Sequence, residues 1–220
     1  MRTRLGILGG AFNPPHYGHL RPALEAMEQL ALEAVFFLPS GSHPFKSAEQ
    51  LAPVSHRVAM TRLAIQEQSG FELCELDANR ASVSYTVETL HILTERFPLG
   101  ELFFLMGSDL LAEVHRWRAW QRLTELAHLC LLVRPGHGLE ALDGAVRAAW
   151  EPFRVASPAD LDRERLGHFG VSLLPVTALE ISSTHIRQRA GRGESIRYLT
   201  TDPVIAYIQH HDLYGHHDRT

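Results

Sequence analysis

The chain has 220 residues, 45% of them apolar, with 21 basic side chains against 25 acidic ones and a formal net charge of −4. That is enough chain to build one globular core without disulfide staples. The mild acidic excess, with no run of five or more Lys or Arg, argues against a sequence-independent nucleic-acid surface. No apolar stretch reaches the roughly 18 residues of a spanning helix, and Met1-Arg2-Thr3-Arg4 runs directly into a strand-like segment rather than a signal peptide, so a soluble cytoplasmic protein is expected.

In chain order, residues 4–9 read as a short apolar strand, Gly10 to Pro15 as a turn-rich loop, and 18–32 as a helix. A second strand, 34–39, stops at a proline and opens a loop from Ser40 to Ser47. The next helix, 55–65, offers Val58, Ala59, Leu63 and Ile65 as its apolar face. Further strands are expected at 71–76, 101–107, 129–133 and 171–176, with a helix starting at Tyr85.

Strands that are apolar throughout and alternate with helices indicate an α/β protein: a Rossmann-like, doubly wound parallel sheet with helices on both faces. Such a sheet binds ligands at the carboxyl ends of its strands. We expect a single domain over residues 1–220. Residues 136–170, helix-like from Leu139 to Trp150, form a peripheral excursion of it. Asp202 as N-cap with Pro203 at the first helical position begins a docking helix over 203–214, whose buried stripe is Val204, Ile205 and Ile208.

Cys74 and Cys130 lie inside strand-like runs, so buried free thiols are expected rather than a disulfide or a zinc site. Of the 14 histidines, His210, His211, His216 and His217 read as a polar tail. His56, His91, His115, His128, His137, His168 and His185 have no partner at ligand spacing and are expected to be solvated or to cap helices. His43 stays open.

His16 and His19 differ, because they close the loop between the first strand and the first helix, where free N–H groups and the positive helix end favour phosphate. Three readings compete for this loop. A dinucleotide-binding turn needs Gly-x-Gly-x-x-Gly, whereas Gly6, Gly9 and Gly10 have other spacings and Pro14-Pro15 interrupts the helix entry. A zinc pair would want histidines four apart and a third ligand. The third reading is a pair of phosphate-contacting histidines, and the plainest alternative to all three is helix capping.

A second element lies far along the chain. Ile181-Ser182-Ser183-Thr184-His185-Ile186-Arg187 follows the last strand and opens a helix, with hydroxyls that cap it and Arg187 one turn in. Alone, such a run is an N-cap. Together with His16-Tyr17-Gly18-His19 it resembles the nucleotidylyltransferase superfamily, which carries a His-x-Gly-His after the first strand and an Ile-Ser-Ser-Thr-x-Ile-Arg near the end.

Within that superfamily the chain is most similar to the bacterial nicotinate-nucleotide adenylyltransferases. The similarity is carried also by Ser84-Tyr85-Thr86, by Gly107-Ser108-Asp109 with Trp117 ten residues after the glycine, and by Leu131 to Gly136. The resemblance implies the nucleotidylyltransferase fold and transfer of the adenylyl group of ATP to nicotinate mononucleotide, giving deamido-NAD and pyrophosphate. It implies His16, His19 and Arg187 as catalytic residues. For ATP it implies Gly9, Gly10, Ala11, Phe12, His16, Gly18, His19, Gly107, Asp109, Ile181, Ser183, Thr184 and Arg187. For the mononucleotide it implies Lys46, Tyr85, Thr86, Trp117 and Arg134.

Magnesium would arrive with ATP rather than in a protein metal site, and a homo-oligomer is compatible with the sequence. Neither a nucleic acid nor a membrane is an expected partner. Three positions depart from the family pattern: Ala11 replaces a hydroxyl residue, Asn13 an aspartate, and Phe45 lies in an altered loop.

Read from the residues alone, Gly107 lets a flat group approach the backbone, and Asp109 either accepts from ribose hydroxyls or caps a helix. Trp117 is either a stacking face for a pyridine ring or a core residue, and Trp120 is read as core. N–H groups at Tyr85 and Thr86 either hold a carboxylate, selecting acid over amide, or only start a helix. Two rival functions remain: the same chemistry on nicotinamide mononucleotide or another phosphorylated acceptor, and a non-catalytic nucleotide-binding regulator.

Overall fold

The computed structural model describes residues 3–41, 51–80, 82–133 and 142–215. Six parallel strands form one sheet in the order β3-β2-β1-β4-β5-β6. They are β1 (Thr3–Gly10), β2 (Ala34–Pro39), β3 (Phe71–Leu73), β4 (Gly100–Gly107), β5 (His128–Val133) and β6 (Val171–Pro175). The helices are α1 (Tyr17–Gln29), α2 (Val54–Ile65), α3 (Thr86–Arg96), α4 (Ser108–Leu111), α5 (Leu123–Leu126), α6 (Gly144–Trp150), α7 (Arg163–Leu166), α8 (Ser183–Gly191) and α9 (Asp202–His210). This is the expected doubly wound α/β architecture, and its strand order reverses between β1 and β4.

Both faces of the sheet are covered, which is why the inner stretches of β1, β2, β4 and β5 are apolar on both sides. Leu102, Phe104 and Met106 of β4 point into one core with Leu5 and Ile7, closed by Leu90 and Leu93 of α3 and by Trp150. The alternate residues Phe103 and Leu105 point into the other, with Leu8, Val35 and Phe37, closed by Leu20, Ala23 and Ala26 of α1. Each of the buried Leu, Ile, Val, Phe and Met side chains contributes about 1.5–3 kcal/mol on burial. Met60, Ile186, Val204 and Ile208 make a smaller third core that joins α2, α8 and α9.

Several expectations need correction. β3 ends at Leu73, because the chain turns over 76–79 with the Asn79 N–H on the Glu75 carbonyl. The buried face of α2 is Arg57, Met60, Thr61 and Ile65 rather than Val58, Ala59, Leu63 and Ile65. The N-cap of α9 is Thr201, and the helix stops at His210 rather than reaching Tyr214. Beyond it the Leu213 N–H returns to the Ile208 carbonyl, and Asp212 and Tyr214 take positive φ, so the chain doubles back.

His128 is neither solvated nor a cap. It is fully buried, donates from Nε2 to Glu101 at 2.7 Å and accepts the Gly170 N–H on Nδ1 at 2.8 Å. Glu101 also accepts from the Arg163 N–H and lies 3.6 Å from Arg4. Burial raises the Glu101 pKa, but the His128 and Arg163 hydrogen bonds and the nearby Arg4 charge outweigh it and hold the carboxyl below its ordinary value. This polar knot sits at the amino end of β4 and ties residues 161–170 to the sheet. Cys74 and Cys130 are free and buried, as expected.

Candidate functional site

The reversal of strand order leaves a crevice above the carboxyl ends of β1 and β4, the usual ligand position in an open parallel sheet. Gly10 ends one strand and Gly107 the other. A side chain on Gly10 would meet the Phe12 ring at 3.1 Å, whereas one on Gly9 would meet nothing within 4 Å, so the ledge over β1 is open. Phe12 is 1% exposed at φ +47 and turns the chain from β1 into the loop.

His16 is the N-cap of α1, and the two histidines organise each other there. The His16 N–H donates to His19 Nδ1 at 3.3 Å, the reaching-back half of a capping box, which leaves the His19 proton on Nε2. Their rings stack with centroids 3.8 Å apart, and Phe12 packs edge-on against His19 at 5.2 Å. His16 is 5% exposed, its Nδ1 has no hydrogen-bond partner among the described residues, and burial pushes its pKa down to about 4. It is therefore neutral at pH 7. The capping reading and the site reading of these histidines are compatible.

The distant motif abuts this one. A Cβ on Gly18 would lie 2.9 Å from His16 Nδ1 and 3.3 Å from the Ile181 carbonyl, so the glycine of His-x-Gly-His is required by both neighbours. Ser182 caps α8 by accepting the His185 N–H. Ser183 donates to the Pro14 carbonyl at 2.8 Å, and Arg187 donates to the Asn13 carbonyl at 2.9 Å and to the Thr184 hydroxyl at 3.3 Å. Burial lowers the Arg187 pKa, which starts far above neutrality.

Sequence reasoning missed five residues that hold the same loop. Thr200 donates to the Pro15 carbonyl at 2.7 Å, and the Leu199 carbonyl accepts the Tyr17 N–H. The Tyr214 hydroxyl donates to Asn13 Oδ1, which also accepts the Ala52 N–H. Arg57 donates to the carbonyls of Ala11, Gly41 and Ala52. An arginine amid the apolar residues of α2 was the one available signal; nothing in the sequence marks the others. The departure at Asn13 is accommodated, since its amide oxygen takes both donors.

At the other lip, Tyr85 caps α3 and Thr86 opens it, as expected, and the Arg118 guanidinium lies 4.8 Å over the Tyr85 ring. Arg118 also pairs with Glu88 at 2.9 Å. Trp117 is half-buried, edge-on to Phe104, and Trp120 packs against Trp150. Gly107 caps the short α4, in which Asp109 lies. Lys46, Arg134, His43, Phe45 and His137 lie outside the described residues, as does the side chain of Asp109. Among the described residues no group of three or more His, Cys, Asp or Glu is placed to hold a metal ion, and no helix is long and apolar enough to cross a membrane.

Residues 7–189 match the cytidylyltransferase-like family model. A protein of Shewanella woodyi is 38% identical over 211 residues, covering 96% of this chain and 99% of its own length. One of Roseiflexus sp. (strain RS-1) is 40% identical over 210 residues, covering 96% and 97%; both are named "Probable nicotinate-nucleotide adenylyltransferase". The nicotinic acid mononucleotide adenylyltransferase of Plasmodium falciparum, solved with NaAD, superposes with a TM-score of 0.71 at 20% identity over 96% of this chain and 97% of that one, which shows a shared fold. The match over nearly the full length, with both motifs joined at the switch point, places this chain in the cytidylyltransferase-like family, among the nicotinate-nucleotide adenylyltransferases.

Proposed function

We propose that this protein joins nicotinate mononucleotide to the AMP part of ATP, a step of NAD biosynthesis, at the crevice above β1 and β4. The observation that carries the reading is the abutment of the two motifs, with the Ile181 carbonyl against Gly18 and Arg187 on the Asn13 carbonyl. Two phosphate-holding elements meet there, as a reaction between two anions requires.

The 5′-phosphate oxygen of the mononucleotide attacks the α-phosphorus of ATP, a new P–O bond forms, and pyrophosphate leaves with the electrons of the broken bond. The nucleophile is already ionised, so no general base is needed. Catalysis then consists of aligning two anions and stabilising charge on the five-coordinate phosphorus.

His16 and His19 would donate to the α-phosphate and bridging region, and Ser183, Thr184 and Arg187 would hold the departing β- and γ-phosphates. Neutral His16 serves as a hydrogen-bond donor rather than a cation. Trp117 would stack on the pyridine ring, and the N–H groups at Tyr85 and Thr86 would donate to its carboxylate. The donors around the loop are imidazoles, hydroxyls and a guanidinium, which suit phosphate oxygens, so Mg2+ would be held by ATP and water and would neutralise phosphate charge. A cytoplasmic location goes with this reading, since ATP and the mononucleotide are available there.

The test is pyrophosphate release on mixing the protein with ATP and either nicotinate or nicotinamide mononucleotide. Release is expected with the acid and at least tenfold less with the amide. Equal rates would remove acid recognition by Tyr85 and Thr86, and no release with either would remove the enzymatic reading.

A further inference from the structure

Arg57 lies on α2, 1% exposed, and its guanidinium spends its donors on main-chain oxygens from three separate places: Nε on Ala52 at 3.1 Å, Nη1 on Ala11 at 2.8 Å and Nη2 on Gly41 at 3.1 Å. Among the described residues it has no carboxylate partner. A buried arginine normally needs one. Here the compensation comes from three carbonyl dipoles, and so arranged a cation can dictate where peptide groups point.

The consequence falls on the peptide between Ala11 and Phe12. In a trans peptide the C=O and the N–H point in opposite directions. Drawing the Ala11 oxygen toward Arg57 therefore turns the Phe12 N–H away from α2. Elsewhere in the loop few such donors exist: Pro14 and Pro15 have none, and the His16 N–H is taken by His19. Phe12 holds φ +47, an uncommon conformation for a bulky residue, which the loop must be held to keep.

We propose that Arg57 is a positioning residue for adenylyl transfer: its bond to the Ala11 carbonyl aims the Phe12 N–H at the triphosphate. The inference rests on the reading that this loop holds the phosphates of ATP. Lysine preserves the charge but cannot span three oxygens with a rigid fork, so charge and geometry separate.

The experiment has two arms. In the first, R57K is compared with the wild type for melting temperature, kcat, and KM for each substrate. A fall in kcat of at least tenfold, with the KM for nicotinate mononucleotide within twofold, is expected; wild-type kcat in R57K overturns the proposal. In the second, which needs no variant to fold, the Phe12 amide is followed by 15N NMR in the wild-type protein as α,β-methylene ATP is added. A specific shift is expected. An unchanged Phe12 amide under saturating analogue overturns the proposal whatever R57K does. Failure of the underlying reading looks different, because the wild type would then release no pyrophosphate and bind no analogue.

Discussion

Arg187 donates through Nη1 to the main-chain oxygen of Asn13 at 2.9 Å, joining positions 174 apart in the chain. A single side chain of the second motif thus holds the loop that carries the first. With Ser183 on Pro14 and Thr200 on Pro15, the carbonyls of the loop are taken from behind by the C-terminal segments. The loop is therefore organised before any ligand arrives, and preorganised donors are the largest source of rate in reactions of this class.

Replacing Arg187 with alanine should lower turnover about 100-fold or more, the effect of losing about 3 kcal/mol in the transition state. Lysine at the same position should recover part of that, since it keeps the charge and loses the fork. Steady-state kinetics beside a melting curve checks both. An alanine variant with wild-type kcat would exclude Arg187 from the chemistry.

His19→Ala should also cost about 100-fold in kcat while leaving the protein folded. The ring is half-buried, packs on Phe12 and His16 and accepts one capping hydrogen bond at the start of α1, so its loss costs about 1 kcal/mol, which a fold with two larger cores absorbs. Circular dichroism and kcat measured on one preparation settle the point, and full activity in a folded variant removes the assignment.

Gly18→Ala tests the junction of the two motifs. The added methyl would lie 2.9 Å from His16 Nδ1 and 3.3 Å from the Ile181 oxygen, too close for either to stay. Displacing the ring or the α8 entry by a few tenths of an ångström should lower kcat at least tenfold with modest loss of stability. Wild-type kinetics in this variant would mean the loop has slack that the distances deny.

His16 carries a pH signature. Its pKa falls to about 4 in the folded protein because burial disfavours the imidazolium, while the unfolded chain titrates near the ordinary value of 6.5. As pH drops through that window the unfolded state binds a proton that the folded state refuses, so stability is lost between 6.5 and about 4. The loss reaches about 2 kcal/mol by pH 5. Urea unfolding at pH 7.5 and pH 5 should show a steeper decline in the wild type than in His16→Gln. Parallel declines would contradict the assigned burial.

Glu101 predicts the opposite separation, stability without catalysis. Glu101→Ala strands the His128 Nε2–H and the Arg163 N–H in a buried site, at a cost of about 2–4 kcal/mol. The knot is at the far end of β4 from the crevice, so kcat and KM of the remaining folded protein should hold within about twofold. Because the Glu101 pKa is depressed, its contribution is present above the ordinary carboxylate pKa and disappears as pH falls below it. Urea midpoints in the variant and the wild type measure the first claim, and kinetics the second.

Local chemistry was enough to find the strands to within a few residues, the two motifs and the start of α3 at Tyr85. A strand covered on both faces keeps an apolar inner stretch, and a helix start changes the hydrophobic period, so both leave marks in consecutive residues. Conversely, the hydrophobic pattern of α2 points to the wrong face. Its buried side includes Arg57 and Thr61, and a hydrophobic pattern cannot register a polar residue that is buried because its partners come from elsewhere. His128 was misread for the same reason: Glu101 and Gly170, its partners, are distant in sequence.

The mild acidic charge and the composition excluded broad classes, and the His-x-Gly-His and Ile-Ser-Ser-Thr-x-Ile-Arg runs named the chemistry by resemblance. Only the tertiary structure decided how those runs become one site. Gly18 is needed because Ile181 is beside it, Asn13 works because Tyr214 returns from the last helix, and the loop carbonyls face inward because Arg57, Ser183, Arg187 and Thr200 draw them there. Hydrogen bonds between residues far apart in the chain depend on where the sheet and helices bring them. No spacing along the chain encodes that placement.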